Sequence, residues 1–219
     1  MKKNIFFRCL RGFFRIIMYL PRKCYYKKKA KKLLNSNFSV ISSDCFGTFV
    51  YHNLNQRFNS PTINLFFSQE DFFQFVSHLK EYLSEELIER KDHDKNYPVG
   101  ELTYNGHTIR IDFMHYHSFE QAKAKWEERK MRVNYSNIYI VQTVTAGLTQ
   151  EYVDKFSSLP YKHKMLITHK NNLTGECMVS HEIFSKPNYK PGQLLTYKTL
   201  VSIKRFMDDI DYIGWLNNQ

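Results

Sequence analysis

The chain has 219 residues, 42% of them hydrophobic and 16% aromatic, which is enough for one ordinary domain with a full core. Its formal net charge is +11, but residues 1–32 contain twelve Lys or Arg side chains and no acid. The remaining residues carry 20 basic and 21 acidic side chains and are near neutral. The charge therefore belongs to the amino-terminal segment, and it does not indicate a nucleic-acid-binding domain.

Residues 1–35 form a basic leader in which apolar and aromatic side chains alternate with arginines. The longest unbroken apolar run, residues 16–20, is far shorter than the ~20 residues that span a bilayer. No small-residue cleavage site follows, which argues against a signal peptide. We predict a basic amphipathic helix that ends at Pro21 and binds the anionic inner face of the cell membrane. The alternatives are a solvated basic segment and a helix that packs on the body or on a partner.

The four cysteines, Cys9, Cys24, Cys45 and Cys177, have no paired spacing such as C-x-x-C. The sequence therefore indicates no disulfide framework and no zinc or other metal site, and a reducing cytosol is the expected compartment. Nucleotide hydrolysis and metalloprotease chemistry are not indicated either, because G-x-G-x-x-G, Walker-type and H-E-x-x-H motifs are missing from the sequence.

Residues 36–219 alternate strand-like and helix-like patterns, which predicts a single α/β domain. The predicted strands are residues 38–43, 62–67, 137–144 and 164–168, and the predicted helices are 46–55, 69–89, 118–132 and 149–156, followed by an α-rich tail. Asn105-Gly106 between two alternating runs predicts a β-hairpin. The order favours a three-layer α/β/α fold with a mainly parallel sheet and an antiparallel hairpin inserted at one edge.

The turn Ser42-Ser43-Asp44-Cys45 lies where the first predicted strand passes into a helix, the usual ligand-binding edge of an α/β sheet. A helix N-terminus favours a thiolate, whereas the neighbouring Asp44 disfavours it. Cys45 is our candidate nucleophile or acyl-donor contact, Ser42 and Ser43 are candidate ligand-binding residues, and Asp44 is a candidate base or orienting acid. The alternative is that these side chains pack the turn and satisfy its backbone.

Two histidines follow the second strand of the predicted hairpin. His115 near Cys45 would complete a nucleophile–base pair, and His117 is a candidate binding residue. The alternative is a histidine hydrogen-bonded at a strand end. Asn59 and Ser60, just before Pro61, are candidates for the rim of the same cleft.

Two arginines, Arg129 and Arg132, lie on the helix that contains Trp126. A guanidinium binds phosphate or a sugar-linked diphosphate bidentately, which makes both arginines candidate substrate-binding residues. In the competing interpretation Trp126 lies in the core and the arginines pair with acids.

Five segments carry a resemblance to a known family: residues 42–47, 59–62, 115–116, 126–134 and 212–217. Together they resemble a bacterial family usually labelled exopolysaccharide or capsule biosynthesis protein, the domain of unknown function 1919, over roughly residues 38–217. The strand–Cys–helix opening is more remotely similar to a capsule acetyltransferase family that binds coenzyme A. That family has a Gly-Asn-Cys-Gln turn where this chain has Ser-Asp-Cys-Phe. The second resemblance implies acyl-coenzyme A as the candidate cofactor.

Two hypotheses of function follow. The first is a transferase of surface-polysaccharide assembly that modifies acyl or sugar groups, with Cys45 in the active cleft and His115 as its base. The second is a non-catalytic, membrane-associated scaffold. In both, the expected partners are an anionic membrane surface and a polysaccharide precursor or polysaccharide-synthesis proteins, with no nucleic acid. The expected location is cytoplasmic, peripheral on the inner face of the cell membrane.

Overall fold

The structure, a computed structural model, describes residues 2–169 and 172–218. Within them the strands are β1 (Ser39–Ser42), β2 (Ile88–Arg90), β3 (Val99–Tyr104), β4 (His107–Asp112), β5 (Ile138–Thr143), β6 (His163–Thr168) and β7 (Met178–Ser180). The α-helices are α1 (Lys2–Ile17), α2 (Tyr19–Ala30), α3 (Phe46–Asn53), α4 (Gln69–Ser77), α5 (Leu79–Ser84), α6 (Phe119–Lys130), α7 (Gln150–Ser157) and α8 (Tyr212–Asn217).

A four-stranded parallel sheet lies at the centre, in the strand order β1-β5-β6-β7. Its side chains alternate between two hydrophobic clusters. Ile41 and Ile140 pack on the side of α4 to α7, and Val40 and Val141 pack on the side of α3 and α8. The sheet is buried on both faces, as expected for parallel strands covered by helices. The predicted α/β class with a mainly parallel sheet is confirmed.

The predicted hairpin is also present. Tyr104 pairs with His107, and the two residues between them have positive φ, +48° at Asn105 and +78° at Gly106. Both angles are those of a type I′ turn, which Asn and Gly adopt readily. The hairpin strands β3 and β4 belong, with β2, to a separate antiparallel sheet of three strands.

Two predicted elements differ from the structure. Residues 62–67 do not form a strand, because Asn64 has φ +61° and Phe66 makes only an isolated bridge to Asp112. The predicted helix 69–89 begins where expected, since Ser68 Oγ accepts a hydrogen bond from the Asp71 N–H. It breaks at His78, where φ is −132°, and residues 88–90 form β2 instead.

The carboxyl-terminal tail is less helical than predicted. Its described part consists of β7, three short 3₁₀ helices and α8. Asp208 and Asp209 both belong to the 3₁₀ helix Phe206–Asp209. The Asp208 side chain is fully buried.

Asp208 joins the leader to the body. Its carboxylate accepts hydrogen bonds from Tyr26 Oη at 2.7 Å and from Lys29 Nζ at 2.6 Å, both on α2. Arg22 donates to the carbonyls of Leu200 and Ser202. The second half of the leader is therefore a helix packed on the body, one of the alternatives that the sequence left open. Of the helices in the described ranges, none has both the length and the apolarity to span a membrane.

We expect Asp208→Ala to lower the free energy of unfolding by about 3–5 kcal/mol, because it leaves the Lys29 ammonium without its buried partner. Urea denaturation followed by circular dichroism measures this change. Asp209→Ala is the matched control, since Asp209 is 38% exposed and its pair with Lys198 contributes about 0–1 kcal/mol. Equal effects of the two substitutions would refute the anchoring role of Asp208.

Candidate functional site

Cys45 is the N-cap of α3, at the carboxyl end of β1, and its side chain makes no capping hydrogen bond. The thiol is partly buried. Burial raises the pKa of Cys45 to about 12, and the neighbouring Asp44 carboxylate acts in the same direction. The thiol is therefore protonated at neutral pH, and the thiolate predicted from the helix N-terminus is not favoured.

Asp44 and Ser42 satisfy the backbone of the turn. The Asp44 carboxylate accepts from the Phe46 N–H at 2.8 Å, and burial raises the pKa of that carboxyl. Ser42 Oγ accepts from the Gly47 N–H at 3.2 Å. A Cβ at Gly47 would lie 2.9 Å from Ser42 Cβ, so only glycine permits this close approach of α3 to β1. These contacts agree with the structural interpretation of the turn.

Ser43 has an equivalent role at the neighbouring strand. Its Oγ accepts a hydrogen bond from the Thr143 N–H at 3.1 Å, where β5 ends. Its own carbonyl accepts from the Phe67 N–H. Ser43 thus joins β1 to β5 and to the segment before α4, and its side chain is buried.

Asn59 and Ser60 hold the segment before Pro61 against β1. The Asn59 carbonyl accepts from Ser39 Oγ at 2.6 Å, and Ser60 Oγ lies 2.9 Å from Thr62 Oγ1. Thr62 Oγ1 accepts from the Ser42 N–H at 2.9 Å. The segment lies alongside the strand that precedes Cys45, and Ser60 is buried rather than exposed at a cleft rim.

The two candidate histidines, His115 and His117, are exposed. In the described part of the chain, no histidine is hydrogen-bonded to Cys45. Tyr116, which lies between them, is instead directed inward: its hydroxyl donates to the Ile63 carbonyl at 2.9 Å and accepts from Arg129 Nη1 at 2.6 Å. The structure therefore shows no hydrogen-bonded Cys45–His115 pair among the described residues, and the nucleophile–base pair stays a prediction.

Tyr116 is the residue that the sequence reasoning missed. Burial raises the pKa of its hydroxyl, and Arg129 opposes that shift. Strand alternation gives no signal for it, because β4 ends at Asp112 and Tyr116 follows the turn after that strand.

Arg129 and Arg132 have different environments. Arg132 donates to Glu128 at 2.8 Å and to the Phe58 carbonyl, as the acid-pairing interpretation predicts. Arg129 is 9% exposed, and it has no ion pair with any described residue. Its guanidinium contacts the Tyr116 hydroxyl and lies 5.1 Å from the Phe58 ring. Trp126 is buried in the core.

The residues described around Cys45 contain a protonated thiol, a partly buried carboxyl bonded to the Phe46 N–H, and a buried guanidinium bonded to the Tyr116 hydroxyl. Across residues 2–169 and 172–218, no group of three His, Cys, Asp or Glu side chains is arranged to hold a metal ion. The arrangement fixes the edge of the sheet more directly than it activates a nucleophile.

The reactivity of Cys45 towards iodoacetamide tests this description. At pH 8 we expect its thiolate fraction to be roughly 1000-fold below that of a thiol at the ordinary pKa of 9.0. Its labelling rate should rise about tenfold per pH unit between pH 7 and pH 10 without levelling, because only the thiolate reacts. Mass spectrometry of tryptic peptides measures the rate, with the exposed Cys24 as an internal comparison. A plateau below pH 9 would show an activated thiol.

Two comparisons with known proteins place the chain in a family. Residues 17–217 match the family described as a domain of unknown function, DUF1919. A protein of Haemophilus influenzae, described as an uncharacterized protein, is 35% identical over 188 residues. That alignment covers 86% of this chain and 88% of the relative. The chain is therefore a member of the DUF1919 family.

Proposed function

We propose that this protein acts at an anionic membrane surface in surface-polysaccharide assembly, as a binding protein rather than a covalent catalyst. The observation that carries the proposal is an exposed apolar face at the junction of α1 and α2. Ile16 is 77% exposed and Leu20 is 66% exposed. An exposed apolar surface rimmed by charged residues is typical of protein or membrane contact sites.

A second segment of exposed apolar side chains lies close to the leader. Residues 200–203 lie beside the start of α2, where Arg22 holds the carbonyls of Leu200 and Ser202. Val201 is 56% exposed in this loop. We call the two segments together the apolar face, made of Phe13, Ile16, Ile17, Tyr19, Leu20, Leu200, Val201 and Ile203, all of which are exposed.

The charge around the apolar face favours a membrane as its partner. Most residues of the apolar face belong to the leader, whose residues 1–32 carry twelve basic side chains and no acid. Each Lys or Arg close to an anionic bilayer contributes about 1 kcal/mol of binding free energy. Apolar insertion and this attraction reinforce each other, as in amphipathic interfacial helices. Because the basic leader favours the cytoplasmic leaflet, we place the protein on the inner face of the cell membrane.

The link to surface polysaccharide rests on the motif resemblance given under Sequence analysis. The partner in this proposal is a polysaccharide precursor or a polysaccharide-synthesis protein. The transferase hypothesis, with Cys45 and acyl-coenzyme A, has less support, because burial raises the pKa of Cys45 and no described histidine is hydrogen-bonded to it. The binding hypothesis is therefore the one that the geometry favours.

Vesicle co-sedimentation tests the membrane proposal. We expect the triple variant Ile16→Asn, Leu20→Asn, Val201→Asn to bind phosphatidylglycerol-containing vesicles at least about tenfold more weakly, since it removes apolar area that enters the bilayer. All three side chains are more than half exposed, so the fold should persist by circular dichroism. Ile88→Asn, on β2 and 53% exposed, is the control. Unchanged vesicle binding by the triple variant would refute the membrane role.

Genetic complementation separates binding from covalent catalysis. In a strain that lacks this protein, we expect Cys45→Ser to restore surface-polysaccharide production to near the wild-type level, because the proposed role uses no thiolate. The triple variant of the apolar face should fail to restore it. Loss of polysaccharide with Cys45→Ser, at normal protein abundance, would favour the transferase hypothesis.

A further inference from the structure

A cavity of about 1050 Å³ lies between the leader and the body. One wall is α2, a second is formed by residues 51–58 at the end of α3, and the third contains Tyr197 and Arg205. A smaller recess of about 510 Å³ shares Arg15, Arg22 and Tyr197 with it and includes Leu200 of the apolar face. The cavity therefore adjoins the proposed membrane contact.

The Asp, Glu, Lys and Arg side chains that line the cavity are all cations. Six of its lining side chains are basic, and no lining residue is Asp or Glu: Arg15, Arg22, Lys23, Lys27, Lys31 and Arg205. None of the six has an ion pair within residues 2–169 and 172–218. The nearby acids are committed elsewhere, Asp208 to Lys29 and Asp209 to Lys198.

Arg205 is held rigidly at this wall. Its Nη1 donates to the Leu195 carbonyl at 2.5 Å, and its guanidinium lies 4.5 Å from the Phe49 ring and 4.1 Å from the Tyr197 ring. Its Nε is buried and has no hydrogen-bond partner in the described part of the chain. Buried donors are normally satisfied, and a fixed guanidinium fork matches the geometry of phosphate oxygens.

Arg22 brings a second guanidinium to the same place. Its Cζ lies 3.7 Å from the centre of the Tyr197 ring, the ring that Arg205 also contacts. The Tyr197 ring thus holds two guanidinium groups, and with them two positive charges, at this wall of the cavity. Asn55, on the wall formed by residues 51–58, carries a further amide donor.

We propose that this cavity binds a phosphate or diphosphate group, carried either by a membrane lipid or by a soluble phosphorylated precursor. The inference rests on the proposed function and deepens it by naming the chemical class of the ligand. The set of cations without ion pairs supplies the charge, and Arg205 supplies the fixed hydrogen-bond geometry. The adjoining apolar face would let a lipid headgroup enter while its chains stay in the bilayer.

The first test is calorimetric titration of the full-length chain with inorganic pyrophosphate at low salt. We expect Lys27→Gln, Lys31→Gln to raise the dissociation constant about tenfold or more, because two charge-assisted contacts are lost. The double variant Lys28→Gln, Lys32→Gln is the matched control, because it has the same net charge and its two changes lie outside the cavity. It should change the dissociation constant about twofold or less. Arg205→Lys, which keeps the charge and loses the fork, should also weaken binding.

Vesicles of matched surface charge distinguish the two sources of the phosphate. Selective loss of binding to phosphatidic acid by Lys27→Gln, Lys31→Gln, with phosphatidylglycerol binding retained, identifies a lipid headgroup. Loss of pyrophosphate binding alone identifies a soluble precursor. Undetectable pyrophosphate binding by the wild-type chain, or equal weakening by the two lysine pairs, would overturn the proposal. The apolar-face variant tests the membrane role separately, so the two can fail independently.

Discussion

The buried carboxylate of Asp208 is the interaction on which the arrangement of the leader depends. It accepts hydrogen bonds from two residues of α2, Tyr26 and Lys29, and also from the Arg205 N–H and the Tyr212 hydroxyl. A carboxylate so fully removed from water persists only when its oxygens are satisfied. Because one group holds α2, Arg205 and α8 at once, the position of the leader and the wall of the cationic cavity are set together.

Local chemistry explains why several elements could be predicted. Ser68 and Ser118 cap their helices through bonds to N–H groups three residues on, and Asn105-Gly106 supplies the two positive φ angles of its turn. Each depends on residues adjacent in the chain. The irregular conformation of residues 62–67 could not be predicted in this way. Their apolar pattern suits a buried strand equally well, and the left-handed conformation of Asn64 is selected by the surrounding contacts.

The place of the Cys45 turn in the fold could be predicted from the sequence, whereas the contacts of its side chains could not. The turn at Cys45 does lie between β1 and α3, as its pattern indicates. The side chains around it were harder to interpret, because polarity alone does not tell a ligand contact from a bond to the protein's own backbone. In the structure, Ser42, Ser43 and Ser60 each accept a hydrogen bond from a backbone N–H. The pairing of Tyr116 with Arg129 joins distant segments and has no signal in local spacing.

The position of β1 at the edge of the parallel sheet has a consequence for solubility. In that strand, the N–H groups of Val40 and Ser42 are directed away from β5, towards the open edge, where another chain could pair with them. The Tyr51 hydroxyl accepts a hydrogen bond from the Val40 N–H at 2.9 Å, and Thr62 Oγ1 accepts one from the Ser42 N–H at 2.9 Å. Open strand edges are templates for intermolecular β-pairing. Here two side-chain oxygens, one on α3 and one in the segment before α4, accept hydrogen bonds from the N–H groups that such pairing needs. They therefore protect the sheet from edge-to-edge aggregation.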